Sequence, residues 1–313
     1  MGKDLTTVIR PPVEQRPVTP AQHVDYEYHN RRGREKYGTL NTQQKAAADA
    51  IMDGVDLSQS RYIFIDGPGG SGKTYLYNTI VDFVIGRGKR IACVAWTGIA
   101  ANLLPDGRTV NSFFKLNIAD RNRSSTLRRQ QKEARDLQAT DVIIWDEISM
   151  APKVALEAVD SLLKNIMQNE LPSGGKVFVI VGDFRQILPV VEHGQRQDIV
   201  DACVQKSGLW TLFQVYLLET NMRVEDDERN WHQHLLEIGS GIRNDADSRI
   251  DIDPDMLYDG DIVAEIFGQD LNQNAALQFN ECAILALKNA HVERINDEIL
   301  RRLIVLRPED ERV

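Results

Sequence analysis

The sequence predicts a three-layer α/β domain in which helices cover both faces of a parallel sheet. Three observations lead there. Strand-like and helical stretches alternate along residues 40–224, the order that requires parallel pairing with crossover helices. Two of the strand candidates are apolar almost without interruption, as strands buried on both faces are. Finally, in Arg61 to Val81, RYIFIDGPGGSGKTYLYNTIV, an apolar run ends in a glycine-rich turn and resumes with helical spacing, the layout of a phosphate-binding loop between strand and helix. With 42% hydrophobic residues, the 313-residue chain can fill one large or two medium cores.

Residues 1–39 carry RPPVEQRPVTP and NRRGREKYG, with few apolar residues and no sustained period, and read as a flexible tail. Met1-Gly2 with Thr6 fits the loose N-myristoylation pattern, a coincidence given that no polybasic segment adjoins it. Arg31, Arg32, Arg34 and Lys36 could touch phosphates, although short charged runs are more often solvated. The folded part is expected to open at LNTQQKAAADAIM, Leu40 to Met52, as a helix capped by Asn41 or Thr42 with Ala46, Ala47, Ala50 and Ile51 on one side. Strands come next at Tyr62 to Asp66 and Ile91 to Ala95, the second leading into a small-residue turn, Thr97-Gly98, and another helix. Further strands are expected at Asp141 to Trp145, Lys176 to Val181 and Val215 to Leu218.

A small basic insertion lies near 119–140, where Arg121, Arg123, Arg128, Arg129, Lys132 and Arg135 meet the single acid Glu133; DNA contact and a plain solvated helix are equal readings of it. Residues 225–275 read as an acidic linker region. Its aspartates from Asp245 to Asp261 fail as a calcium loop, which would need glycine at Met256 and glutamate at Ile262. His232 and His234, two apart, share no helix face and suggest no metal site.

The net charge of -9 argues against whole-surface attraction to nucleic acid while leaving room for a local basic groove. No apolar run approaches a membrane span of roughly 18 residues, so no membrane partner is expected. Cys93, Cys203 and Cys282 lie far apart with no CxxC pairing, which suggests neither a disulfide framework nor a zinc site and points to a reducing compartment.

The chemistry sits at strand ends, where parallel sheets bind their ligands. Gly67, Gly72, Lys73 and Thr74 satisfy the pattern G-x-x-x-x-G-K-[ST], and Gly69 and Gly70 add to the freedom of the turn. Such a loop folds its N–H groups around a phosphate, with Lys73 as a point charge and Thr74 offering a hydroxyl to Mg²⁺. Asp146 and Glu147 come directly after the apolar strand VIIW. Asp146 is suited to hold Mg²⁺ directly or through water, and Glu147 to orient or deprotonate an attacking water. Gln186, on the turn after Gly182-Asp183, can sense a γ-phosphate. A carboxylate pair points to hydrolysis, and a GTPase is disfavoured because no N-K-x-D motif is present.

In this order and spacing, LNTQQ, GPGGSGKT, AWTGIAANLLPDGRTVNSFFKL, IIWDEISM, VGDFRQILPVV and LLETNMRV resemble superfamily-one DNA helicases of the Pif and RecD branch, and among them the helicase region of Helitron transposons. The resemblance runs from Leu40 to about Asn296. It implies a RecA-like P-loop NTPase domain that uses ATP and Mg²⁺ to move 5′ to 3′ on single-stranded DNA and to unwind duplexes, with DNA junctions as partners, as a monomer. Nuclear work in DNA repair, recombination and telomere maintenance is implied with it. Its nucleotide contacts would be Gln44, reading adenine, with Gly67, Pro68, Gly69, Gly70, Ser71, Gly72, Lys73, Thr74 and Tyr75; its catalytic set would be Lys73, Glu147, Gln186 and Arg223; its metal ligands Thr74 and Asp146. DNA would touch Thr97, Gly98, Asn111, Ser112, Phe113 and Phe114, with Asn111 standing where the family usually has histidine, and the basic insertion sits where the family has its wedge near the strand-separation point. Residues 276–313, from ECAILALKNAHVERINDEIL onward, resemble the opening strand and helix of a second RecA-like domain. Nothing resembling the later T-x-H-K-S-Q-G motif or a trans-acting arginine comes after it, so the expectation is a truncated motor. Its rival is a non-catalytic fragment that binds ATP and DNA.

Overall fold

Strict alternation within the apolar runs sorts the core into two layers. The computed structural model describes residues 24–117, 124–223, 229–247, 249–268 and 282–305. Six strands, β1 Arg61–Asp66, β2 Ile91–Ala95, β3 Arg108–Thr109, β4 Val142–Asp146, β5 Val177–Gly182 and β6 Gln214–Leu217, form one sheet in the order β3-β2-β4-β5-β1-β6. Every pairing in it is parallel. The helices are α1 Tyr26–Thr39, α2 Thr42–Asp56, α3 Lys73–Gly86, α4 Gly98–Asn102, α5 Val110–Phe114, α6 Lys132–Gln138, α7 Lys153–Met167, α8 Arg196–Ala202, α9 Arg229–Gly239, α10 Ile262–Phe267 and α11 Asn289–Val305.

Because successive strand side chains point to opposite faces, Ile63, Ile65, Val142, Ile144, Val177, Val179 and Val181 pack with Ala47 and Ile51 of α2 and Leu76, Ile80 and Val84 of α3. Phe64, Ile143, Trp145, Phe178 and Ile180 pack on the other side with Phe114 of α5, Leu137 of α6 and Leu156, Val159 and Leu163 of α7. This is the three-layer α/β architecture expected, with strand limits displaced by a residue or so. The two-residue β3 was not anticipated.

Three sequence expectations are corrected. Residues 26–39 are not tail but the helix α1, whose N-cap Asp25 accepts the Tyr28 N–H at 2.8 Å. It lies on α3: Asn30 Nδ2 donates to the Gly86 carbonyl at 2.8 Å, Lys36 Nζ stands 2.7 Å from the buried Asp82 carboxylate, and His29 Nδ1 is 2.8 Å from its other oxygen. Within α2, Asn41 rather than Thr42 is the cap, in a capping box with Gln44, and Ala48 is buried while Ala46 is exposed. Third, residues 282–286 form no strand; a strand needs a neighbour to satisfy its backbone, and Leu285 and Leu287 stand fully in solvent.

Residues 132–138 of the basic stretch form α6, with Ala134 and Leu137 buried and Arg128, Arg129, Lys132 and Arg135 exposed; Arg121 and Arg123 lie outside the described residues, as do Met1, Gly2 and Thr6. The region read as acidic linker contains α9 and α10, and the chain divides inside it into two compact units, Met1–Ile242 and Arg243–Val313. The second unit, taken alone, buries Val263 and Phe267 against Ile284, Ile295 and Ile299. No helix among the described residues is long and apolar enough to cross a membrane.

Candidate active site

β5 lies between β4 and β1, so the carboxyl ends of these three strands are neighbours and the loops leaving them can converge. After β1, the chain from Gly67 to Gly72 turns into α3. Gly70 has φ 85° and Gly72 φ 78°, a region costly to any residue with a Cβ. Neighbouring groups use the same space: a Cβ on Gly72 would lie 2.4 Å from Gln44 Nε2, and one on Gly70 2.6 Å from Asn221 Oδ1. α3 starts at Lys73, so the unpaired N–H groups and positive dipole end of the helix face the loop.

Lys73 Nζ donates to the carbonyls of Gly67 at 2.7 Å and Pro68 at 3.1 Å, and Ser71 Oγ donates to the Pro68 carbonyl at 2.9 Å. Burial pulls the Lys73 ammonium below its ordinary value, while the charges of Asp146, Asp183, Glu147 and Asp66 oppose that shift. Lys73 thus sits between a burial that disfavours its charge and four carboxylates that favour it, and an anionic partner would add to the second side.

Gln44 is buried against this loop: its side-chain oxygen accepts the Asn41 N–H at 3.0 Å and its Nε2 donates to the Ser71 carbonyl at 3.1 Å. Its neighbour Gln43 accepts the N–H groups of Glu219 at 2.9 Å and Thr220 at 3.4 Å, tying the segment after β6 to α2. That segment then touches the loop directly. Met222 N–H donates to the Gly70 carbonyl at 2.8 Å, Asn221 Nδ2 donates to the Gly69 carbonyl at 3.3 Å, and Asn221 Oδ1 accepts the Arg223 N–H at 2.8 Å. Arg223 is thereby fixed by its backbone beside the loop, with its side chain exposed.

On the β4 side, Asp146 is buried and its Oδ2 accepts the Tyr77 hydroxyl at 2.9 Å, while the Tyr77 oxygen is 3.0 Å from Thr74 Oγ1. Glu147, the next residue, takes a left-handed conformation, φ 54°, uncommon for a residue with a side chain. Burial pushes the Asp146 carboxyl up, against the Tyr77 hydroxyl, the Glu147 amide and Lys73. Burial also raises Glu147, and the adjoining Asp146 charge adds to it. A carboxylate made more basic in this way is suited to accept a proton. At the end of β5, Asp183 accepts the Arg185 N–H at 3.0 Å and Nε–H at 2.7 Å, and Gln186 Nε2 lies 3.3 Å from its other oxygen.

The expected set of Gln44, the loop from Gly67 to Thr74, Asp146, Glu147 and Gln186 is thus gathered at three adjacent strand ends. Tyr75 is on the first turn of α3 with its hydroxyl 2.7 Å from Thr39 Oγ1. The second expected set lies beyond β2 and β3. Thr97 caps α4 by accepting the Ala100 N–H at 3.2 Å; Ile99 of α4 is 81% exposed, and Leu103, the residue that ends the helix, is 72% exposed. Ser112 is exposed and Asn111 and Phe113 half-buried. Phe114, however, is 0% exposed and meets Phe113 edge-on at 4.9 Å; a ring enclosed in the core has no face to offer a base, so its expected DNA contact is corrected. Tyr77 and Asn221 were missed. Tyr77 carried a usable signal, since its place three residues after Thr74 on a helix puts both on one face. Asn221 carried none, its contact spanning 152 positions.

The PIF1-like helicase family matches residues 39–249. The ATP-dependent DNA helicase Pif1 of Bdellovibrio bacteriovorus is 35% identical over 193 residues, 60% of this chain and 41% of its own length. The ATP-dependent DNA helicase PIF1 of Candida albicans is 29% identical over 201 residues, 61% of this chain and 21% of its own. The chain therefore spans less than half the length of these relatives. Among solved structures, the Candida albicans Pif1 helicase superposes with TM-score 0.61 at 23% identity, covering 84% of this chain and 55% of its own. Bacteroides Pif1 in complex with ADP-AlF4 gives 0.58 at 22%, covering 83% and 56%. These two likenesses establish the shared RecA-like fold. Since the family match takes in more than half of the chain, from α2 through the glycine-rich loop, Asp146-Glu147 and Asn221-Arg223, the chain belongs to the PIF1-like helicase family.

Proposed function

We propose that this chain carries the ATP-hydrolysing core of a DNA helicase that moves 5′ to 3′ on single-stranded DNA and opens duplexes at forks and junctions. The observation that carries the reading is the convergence of Lys73, Thr74, Asp146 and Glu147 on a loop in which a Cβ at Gly67, Gly70 or Gly72 would collide with a neighbour. ATP fits that cradle. Lys73 would exchange two carbonyl partners for β- and γ-phosphate oxygens, a stronger charge-assisted contact. Gln44 keeps one N–H and one lone pair beyond those it uses, enough to read an adenine edge. Among the described residues no group of three or more His, Cys, Asp or Glu could hold a metal ion, so Thr74 and Asp146 would hold Mg²⁺ together with phosphate oxygens. Such an ion neutralises developing charge on the transferred phosphoryl group. Glu147 takes the proton of the attacking water, and Gln186 and Arg223 report on the γ-phosphate.

DNA is assigned to Thr97, Gly98 and the exposed atoms of Asn111 to Phe113. Bacteroides Pif1 has been solved bound to single-stranded DNA, and a further Pif1 structure addresses unwinding at forked duplex DNA, which supports that side of the reading; a nuclear setting rests on the family resemblance alone. The test is nucleotide binding and ATP hydrolysis with and without single-stranded DNA. Lys73→Ala should lose about 10-fold or more in ATP affinity, the scale of a lost charged hydrogen bond, and unchanged affinity by calorimetry would reject the assignment. Because the chain spans under half of its relatives, a second reading stands beside the first: a piece that binds ATP and DNA but turns over too slowly to unwind. Binding without DNA-stimulated hydrolysis selects it.

A further inference from the structure

We infer that Tyr77 is a positioning residue that fixes the direction of the hydroxyl protons between Thr74 and Asp146. The inference rests on the reading of those two residues as the protein ligands of a divalent cation, and deepens it. A carboxylate only accepts hydrogen bonds. The Tyr77 O–H therefore points at Asp146 Oδ2, 2.9 Å away. With its proton committed, the Tyr77 oxygen can only accept from Thr74 Oγ1 at 3.0 Å. The Thr74 proton is drawn towards Tyr77, and the lone pairs of its oxygen are left facing the loop, where a cation would sit. Tyr77 and Asp146 are both buried, which shields their contact from water, while Thr74, exposed at the start of α3, meets the Tyr77 oxygen at the edge of that shelter. Besides Tyr77, Asp146 accepts the Glu147 backbone N–H, which holds the carboxylate but does nothing for Thr74.

A tyrosine packed in the layer between α3 and the sheet could equally be core and nothing more, and the two roles separate by what magnesium does. The experiment measures affinity for a non-hydrolysable ATP analogue by calorimetry, with Mg²⁺ and in its absence, and the Mg²⁺ concentration at half-saturation, in the wild-type chain and in Tyr77→Phe. Loss of an outer partner of a metal ligand weakens metal affinity by about 10-fold to 100-fold, so Tyr77→Phe should need about 10-fold more Mg²⁺ or beyond. Its Mg²⁺-free affinity should match wild type, which also shows that the loop is folded. An equal Mg²⁺ requirement in both proteins overturns the inference, as does an equal loss with and without Mg²⁺, the mark of a damaged loop. A wild-type chain that binds no nucleotide under either condition overturns the nucleotide reading itself, and the bridge with it.

Discussion

The two corners of this sheet to which function is assigned are built in opposite ways. Around the phosphate loop, polar side chains are tied down: the buried Gln44 to Asn41 and Ser71, the half-buried Lys73 to two carbonyls, the buried Asp146 to Tyr77, and the exposed Gln186 beside Asp183. Around Thr97 to Phe114 the large apolar side chains Ile99 and Leu103 stand outward among the exposed polar Asn102, Asp106, Arg108 and Ser112, and hydroxyl caps on two short helices order the backbone. The difference matches the task proposed for each corner. Hydrolysis needs reacting groups held to a fraction of an ångström, whereas gripping a polymer of varying sequence needs open surface over a firm support. Phe114 supplies that support from beneath.

The largest effect that can break this comparison is chemical. Glu147→Gln should keep nucleotide and Mg²⁺ bound and lower turnover by about 10²-fold to 10⁴-fold, the usual contribution of a positioned base; ordinary ATPase rates in this variant would remove Glu147 from the chemistry. Next comes the support. Phe114→Ala should cost about 3–5 kcal/mol of stability in denaturant melts, and Phe113→Ala clearly less, so equal costs would mean the two rings are equally structural. In the loop, Gly72→Ala should lose on the order of 1–2 kcal/mol to left-handed strain and should lower nucleotide affinity through the displaced Gln44. Intact affinity would show that Gln44 does not read the base. Smallest is Ile99→Ser, with stability within about 0.5 kcal/mol of wild type and single-stranded DNA affinity reduced at unchanged nucleotide affinity. A loss of nucleotide binding there would merge the two corners into one.

How much of this was legible depends on the kind of contact involved. The long strands were readable because burial on both faces demands uninterrupted apolar residues, and the loop because only glycines and a lysine in that spacing can cradle phosphate. α1 was unreadable for the converse reason. Its grip on α3 is largely polar, through Asn30, Lys36 and His29, with Tyr37 against Phe83 as its aromatic contact and Gly33 as its buried residue, so no apolar stripe advertises a helix. β3 is too short to show a period. The strand expected near residue 282 shows the opposite failure, where apolar residues are present but no pairing partner among the described residues satisfies their backbone. In the site, the motif residues were found and their fastenings were not: Asn221 meets the loop only because β6 ends beside β1, a fact of topology rather than of local sequence.

α3 connects these observations mechanically. Its first residue is the loop cation, and its last, Gly86, receives the Asn30 side chain of α1, so one helix of 14 residues, about 20 Å long, spans the distance between them. A tilt of a few degrees at the phosphate end displaces the far end by about 1 Å on that length. The Lys36–Asp82 pair at 2.7 Å and the Thr39–Tyr75 contact at 2.7 Å fasten α1 along that same length, so α1 braces the helix that carries the loop cation from its first turn to its last residue.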